Sequence, residues 1–144
     1  MPLTLLAKKG EAVDLASLVA AVRKGVKGRN CGCIISFMGI VRPKTQDGEL
    51  VDHLEYEVYE EAARRSLENM VKALLLVDGV LDLAICHRYG SFNPGEEVLY
   101  VVVGAERTEV AFDTLRLAVT RAKHELPIWK KEFTSKGDYW VDLE

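Results

Sequence analysis

Basic residues stand at the ends of predicted helices and strands, where a rigid scaffold commonly presents binding groups. Arg42 follows an apolar strand-like run, Arg107 precedes the last predicted helix, and Lys123 lies in the final turn of that helix. Lys130 and Lys131 lie in the strand that follows. Clustered Arg and Lys side chains bind phosphate or carboxylate through charge-assisted hydrogen bonds. A lysine partly buried among other cations has a lowered pKa, so it can act as a general acid or base, or as a nucleophile toward a carbonyl.

The simpler interpretation is that these residues are solvated surface charges, with Lys123 complementing the negative end of the helix dipole. Spacing alone favours this interpretation. Alternation along the strand places Lys130 and Lys131 on opposite faces, and Lys131 shares its face with Trp129 and Phe133. The pattern does not decide which of the two lysines faces a pocket.

Metal and redox chemistry find little support in the sequence. The three histidines are spread along the chain without the spacing of metal ligands: His53, His87 and His124. His87 lies near a predicted strand end, where the simplest interpretation is a satisfied polar residue at a sheet rim. The three cysteines form no C-x-x-C pair: Cys31, Cys33 and Cys86. We therefore expect free thiols, no metal site and no bound cofactor. With no predicted signal peptide or membrane span, we expect a cytoplasmic protein.

The composition is that of one ordinary globular domain, which we predict to cover residues 1–144. Hydrophobic residues make up 49% and charged residues 28% of the chain, which excludes a disordered chain. The net charge of −3 argues against a generic nucleic-acid-binding domain, because such domains are strongly basic.

The elements expected to position the basic residues follow the order β-α-β-β-α-β-β-α-β-β. Helical periodicity predicts helices over about 14–28, 60–77 and 108–126. Strands are predicted at 33–41, 51–59, 80–89, 98–103, 128–134 and 139–143. We expect 33–41 and 51–59 to pair as a hairpin across a long loop, and 98–103 to be a central strand. Paired strands between helices predict an α+β fold, with about three helices on a mixed, mainly antiparallel sheet.

An ordered set of short motifs over residues 30–142 resembles the family of large, catalytic subunits of molybdopterin synthase. The matching segments are Phe37–Arg42, Leu54–Glu57, His87–Gly90, Pro94–Glu96, Arg107 with Ala111–Phe112, Lys123, Pro127–Glu132, and Gly137–Asp138 with Trp140–Val141. Each motif is weak alone, whereas the ordered set is specific.

This resemblance implies an α/β-hammerhead-like fold and a homodimer. Each large subunit also binds a small ubiquitin-like subunit with a C-terminal Gly-Gly, giving a heterotetramer. That tail, as a thiocarboxylate, is implied to donate sulfur to cyclic pyranopterin monophosphate and so form the dithiolene of molybdopterin. The cysteines need no role, because the sulfur arrives on the partner.

The resemblance also implies roles for particular residues. Lys123 and Lys130 correspond to catalytic lysines, and Arg42 and Arg107 to residues that bind substrate anions. Family members place the position of Arg107 across the dimer interface from the lysines. Glu106 stands where the family usually has His, so we assign it to the substrate site, where it can pair with Arg107 or accept hydrogen bonds from the pterin.

Two other functions remain open from the sequence. A carboxylate at Glu106 adds negative charge beside the anion site, which motivates a non-catalytic module that docks a ubiquitin-like tail without turnover. A generic anion- or nucleic-acid-binding domain is the third possibility, and the net charge of −3 argues against it.

Overall fold

The computed structural model describes residues 2–141, and its helices and strands follow the predicted order. The strands are β1 (Leu3–Lys8), β2 (Cys33–Ile40), β3 (Val51–Val58), β4 (Val80–Phe92), β5 (Glu97–Ala105), β6 (Ile128–Thr134) and β7 (Gly137–Val141). The helices are α1 (Leu15–Gly25), α2 (Glu60–Leu75) and α3 (Thr108–His124). The last predicted strand was expected to reach Leu143, which lies outside the described residues.

The described strands form one sheet in the order β2-β5-β4-β3-β6-β7, and β1 pairs with β4 in parallel. The other pairings are antiparallel. Strand β4 is 13 residues long, so its first part pairs with β5 and its last three residues pair with β3. The sheet is mixed and mainly antiparallel and carries three helices, which confirms the predicted α+β class.

The expected hairpin between the predicted strands at 33–41 and 51–59 is wrong. Strand β2 pairs with β5, and β3 pairs with β4 and β6. An isolated bridge between Lys44 and Leu50 and a hydrogen bond of 2.9 Å from the Val51 N–H to the Pro43 carbonyl close the 43–49 loop without forming a hairpin of β2 and β3. Alternation identifies a strand but not its partner, and the partner of β2 lies about sixty residues along the chain.

Strand β5 is covered on both faces, which explains its nearly continuous apolar sequence. Val101 and Val103 face α2 and α3, in a core that includes Leu67. Tyr100 and Val102 face α1, in a second core cluster. Strand β5 lies between β2 and β4, so the prediction of a central strand is confirmed.

The helix ends follow from local sequence. The Oδ1 atom of Asp14 accepts a hydrogen bond from the Ser17 N–H at 2.8 Å and so caps the N-terminus of α1. Helix α3 ends at His124, two residues before the predicted end, and the chain turns directly into β6 through Pro127. This short connection sets the last turn of α3 beside β6.

Candidate functional site

A cavity of about 340 Å³ lies where the end of β2, the paired strands β3 and β6, and the last turn of α3 meet. Its lining residues are Phe37, Met38, Gly39, Ile40, Val41, Arg42, Leu54, Tyr56, His87, Val98, Leu99, Lys123, Lys130 and Glu132. Three of the predicted site residues, Arg42, Lys123 and Lys130, therefore lie around one cavity.

The three basic residues Arg42, Lys123 and Lys130 come from different parts of the fold. Arg42 follows β2, whose register against β5 shifts between Gly39 and Ile40. The chain is fixed just before Arg42, because Val41 makes backbone hydrogen bonds of 3.0 Å with Glu96 and 2.8 Å with Gly95. Such anchoring of the backbone makes the position of a charged side chain reproducible.

Lys123 and Lys130 come from the two sides of the short α3–β6 connection. Both residues are half-buried: Lys123 lies in the last turn of α3, and Lys130 is the third residue of β6. Half-burial strengthens the interaction of an ammonium group with an anion, because water screens the charges less than at the open surface.

The cross-strand register decides which of the two adjacent lysines serves the cavity. Tyr56 of β3 lies opposite Lys130, and Leu54 lies opposite Glu132, so these four side chains project from one face. Lys131 lies on the other face, where its Nζ is 5.1 Å from the ring centroid of Phe133 and 5.3 Å from that of Trp140.

The other titratable side chains of the cavity are Tyr56, His87 and Glu132. Burial, and secondarily the charge of Glu132, raises the pKa of Tyr56 to about 12. Burial lowers the pKa of His87 to about 4, against the opposing effect of its hydrogen bond to the Arg88 carbonyl. Both groups are therefore neutral near pH 7. Three cations and one carboxylate remain, so the cavity is suited to an anionic ligand.

Glu106 and Arg107 do not line this cavity; both are exposed at the opposite end of β5. Arg107 is the N-cap residue of α3, and Lys123 lies sixteen residues further along that helix. At 1.5 Å per residue the two positions are about 24 Å apart along the helix axis. Arg107 therefore does not reach the cavity of its own chain.

A second hollow of about 410 Å³ adjoins the first and shares three of its lining residues, Arg42, Lys130 and Glu132. Its other walls come from the 43–49 loop and from β7. The loop turns at Asp47–Gly48, with Gly48 at φ +84° and its N–H donating to the Thr45 carbonyl at 3.0 Å.

Sequence reasoning did not assign Tyr56, His87 or Glu132 to the site. Tyr56 and Glu132 could have been found from alternation, since Glu132 shares its strand face with Lys130. His87 was interpreted as a satisfied polar residue at a sheet rim. It is instead buried within the sheet, where one ring nitrogen is satisfied and its side chain lines the cavity.

Two other features bear on the class of protein. Within residues 2–141, no group of three or more His, Cys, Asp or Glu side chains could hold a metal ion. None of the described helices is long and apolar enough to cross a membrane.

Comparison with known proteins places the chain in a family. The model of the MoaE protein family matches residues 9–125. The molybdopterin synthase catalytic subunit of Pyrococcus abyssi is 32% identical over 137 residues, which are 95% of this chain and 89% of that protein. The chain belongs to the MoaE family. This membership confirms the family recognised from the motifs.

Solved structures support the same assignment at the level of the fold. The MoaE protein from Burkholderia ambifaria MC40-6 is 31% identical, with a TM-score of 0.77, and the match covers 99% of this chain and 90% of that chain. A complex of subunits 1 and 2 of molybdopterin-converting factor from Helicobacter pylori 26695 has a TM-score of 0.71 at 22% identity, covering 96% and 89%. The expected hammerhead-like fold of the family is thus confirmed.

Proposed function

We propose that this protein is the catalytic subunit of a molybdopterin synthase, a sulfurtransferase that converts cyclic pyranopterin monophosphate to molybdopterin. The sulfur donor is the C-terminal thiocarboxylate of a small ubiquitin-like subunit that ends in Gly-Gly. The observation that carries the proposal is the convergence of Arg42, Lys123 and Lys130 on one cavity in a chain of the MoaE family.

The reaction requires two anions to meet. A phosphate-bearing pterin and a thiocarboxylate about 4 Å apart repel each other by about 4 kcal/mol at an effective dielectric of 20. The cations around the cavity offset this repulsion. Arg42 offers a planar fork to phosphate oxygens, and the lysines offer compact charges that suit a thiocarboxylate.

Lys123 and Lys130 are the proposed catalytic residues. In each transfer the thiocarboxylate sulfur bonds to a side-chain carbon of the pterin while an oxygen substituent leaves, and hydrolysis leaves the partner's tail as a carboxylate. An ammonium group positioned beside the leaving oxygen can donate the proton it needs, and the second lysine can hold the thiocarboxylate in line. No cofactor is required by this scheme.

Arg107 and Glu106 belong to the site only if a second copy of the chain supplies them. We propose a homodimer in which Arg107 of one protomer approaches the cavity of its partner, consistent with its position about 24 Å from Lys123 along the same helix. Exposed apolar side chains lie at this end of the molecule, with Leu76 87% and Phe112 55% exposed. A twofold interface over this region buries them and completes two sites at once.

The small subunit completes a proposed heterotetramer with two copies of each chain. The Helicobacter pylori complex of two subunits shares this chain's fold, which supports such an assembly. We also propose that residues 1–144 act as one domain, because β4 is shared by both parts of the sheet. The three free cysteines fit the reducing cytoplasm, where we place the enzyme.

The test is a single-turnover reaction with the thiocarboxylated small subunit and cyclic pyranopterin monophosphate, with the product detected by mass. Lys123→Ala should abolish product formation. Arg116→Ala removes one positive charge from an exposed position of the same helix and should leave the rate unchanged. An active Lys123→Ala enzyme would remove the lysine from the mechanism.

Calorimetry, which measures the heat of pterin binding, distinguishes the proposed enzyme from a non-catalytic docking module. The proposed enzyme binds the phosphate-bearing pterin in the absence of the partner, since the cations Arg42, Lys123 and Lys130 of the cavity all lie on this chain. A protein that binds the small subunit tightly but shows no heat with the pterin is a docking module. In that case Glu106→His is the first variant to make.

A further inference from the structure

His87 presents an unused hydrogen-bonding atom at the cationic cavity. Its side chain is buried, and its Nδ1 lies 2.8 Å from the backbone carbonyl oxygen of Arg88. Because a carbonyl oxygen only accepts hydrogen bonds, Nδ1 carries the proton and Nε2 is an unprotonated acceptor. Among residues 2–141, the structure records a hydrogen bond for this ring at Nδ1 alone.

The surroundings keep the ring in this state. Burial lowers the pKa of His87 to about 4, so the imidazole is neutral near pH 7. The ring of Tyr56 packs edge-on against it, with centroids 5.2 Å apart and an interplanar angle of 79°. Packing on one side and the Arg88 carbonyl on the other fix the tautomer and the orientation of the ring.

The position within the sheet directs the ring toward the ligand. His87 lies opposite Leu99 of β5, and Leu99 lies opposite Gly39 of β2. All three of these residues line the cavity that Lys123 and Lys130 border. Because Nδ1 is hydrogen-bonded to the Arg88 carbonyl and the side chain lines the cavity, Nε2 is the ring atom left for a ligand.

We propose that His87 Nε2 accepts a hydrogen bond from an N–H or O–H group of the bound pterin and is a specificity-determining residue of the site. The cations hold any anion of suitable size, whereas the fixed neutral acceptor favours an anion that also carries a donor. This inference rests on the proposed function, because it concerns the substrate of that reaction. A site that hydrogen-bonds a ligand group discriminates strongly against ligands without it.

The first test uses the unmodified protein labelled with ¹⁵N, with the imidazole nitrogens followed by NMR. His87→Gln identifies the signals, since they vanish in that variant. In the free protein one His87 nitrogen should be protonated and the other not. Saturating cyclic pyranopterin monophosphate should shift the unprotonated nitrogen, and saturating inorganic phosphate should not.

Two outcomes overturn the inference in different ways. If calorimetry shows that the pterin binds but the Nε2 resonance does not move, His87 is a structural histidine and the proposed function stands. If the pterin does not bind the wild-type protein at all, the proposed function fails and this inference fails with it.

The second test compares His87→Leu with His87→Gln. The Leu variant has no acceptor and should bind the pterin about tenfold more weakly, the loss expected for about one hydrogen bond. The Gln variant retains a side-chain carbonyl and should recover most of that affinity, while all three proteins bind inorganic phosphate equally. In the sulfur-transfer reaction, His87→Leu should raise the half-saturating pterin concentration more than it lowers the rate. Equal pterin affinities for wild type and both variants contradict the inference; if the Leu variant does not fold, the NMR measurement decides.

Discussion

Replacing Lys130 should lower the rate of sulfur transfer, whereas replacing its neighbour Lys131 should lower only the stability of the fold. Lys130 faces the cavity with Arg42 and Lys123, so Lys130→Ala removes one of three cations that hold two anions together. One such charge about 4 Å from an anion contributes about 4 kcal/mol at an effective dielectric of 20. Loss of a preorganised group of this kind lowers rates by about 100- to 1000-fold.

Lys131→Ala is the matched control, because it removes the same side chain from the opposite face of β6. Its Nζ lies within 5.3 Å of the ring centroids of both Phe133 and Trp140, and exposed contacts of this type contribute about 0.5–1 kcal/mol each. We expect Lys131→Ala to lower the free energy of unfolding by about 1 kcal/mol while retaining the single-turnover rate at saturating partner.

The assay measures single-turnover dithiolene formation, with urea unfolding of each variant beside it. The predicted pattern is a large loss of rate in Lys130→Ala and a small loss of stability in Lys131→Ala. A normal rate in Lys130→Ala, or an equal loss of rate in both variants, would refute the reasoning from the strand register.

Three further predictions follow from the same structure. Because the pKa of His87 is lowered to about 4 in the folded protein, the unfolded chain binds the proton first as pH falls. The contribution of His87 to the free energy of unfolding is therefore fully present above about pH 6.5 and decreases toward pH 4. The free energy of unfolding in urea should be about 2 kcal/mol lower at pH 5 than at pH 7 because of His87, and His87→Gln should lack that part of the pH dependence. Identical pH profiles for the wild type and His87→Gln contradict the assignment. Leu67→Ala, in the core beneath α2, should lower the free energy of unfolding by about 2–5 kcal/mol, whereas Leu50→Ala, at an exposed site outside the proposed dimer interface, should change it by less than about 0.5 kcal/mol; similar thermal shifts argue against the packing described. Inactive Lys123→Ala and Arg107→Ala proteins, mixed and allowed to exchange subunits, should recover about a quarter of wild-type activity, because half of the dimers then contain one intact site; no recovery, or only monomers in sedimentation, contradicts the shared site.

Strand and helix positions could be predicted because their periodicity is local. The run at 98–103 is apolar on both faces, and β5 is indeed covered by α1 on one side and by α2 and α3 on the other. Strand pairing could not be predicted in the same way. The partner of β2 is chosen by long-range packing, so the nearest strand in sequence was the wrong choice.

The basic residues of the candidate site were expected from the family resemblance, because their spacing alone favoured solvated surface charges. The structure brings Arg42, Lys123 and Lys130 to one cavity, whereas Glu106 and Arg107 do not line it. The choice between Lys130 and Lys131 required the register of β6 against β3. Lys131 shares its face with two aromatic residues, Trp129 and Phe133, and the sequence does not show that this face is partly exposed. His87 was not assigned to the site, because the sequence does not show which ring nitrogen the backbone carbonyl occupies.

Transfer of labelled sulfur from the small subunit to the pterin decides whether this protein is the catalytic subunit of a sulfurtransferase. The small subunit, carrying an isotopically labelled thiocarboxylate, is mixed with this protein and cyclic pyranopterin monophosphate, and both products are weighed by mass spectrometry. The account predicts a dithiolene that carries only labelled sulfur, together with a small subunit that has returned to its carboxylate form. A stable complex of the two proteins that binds the pterin yet yields no labelled dithiolene would contradict it.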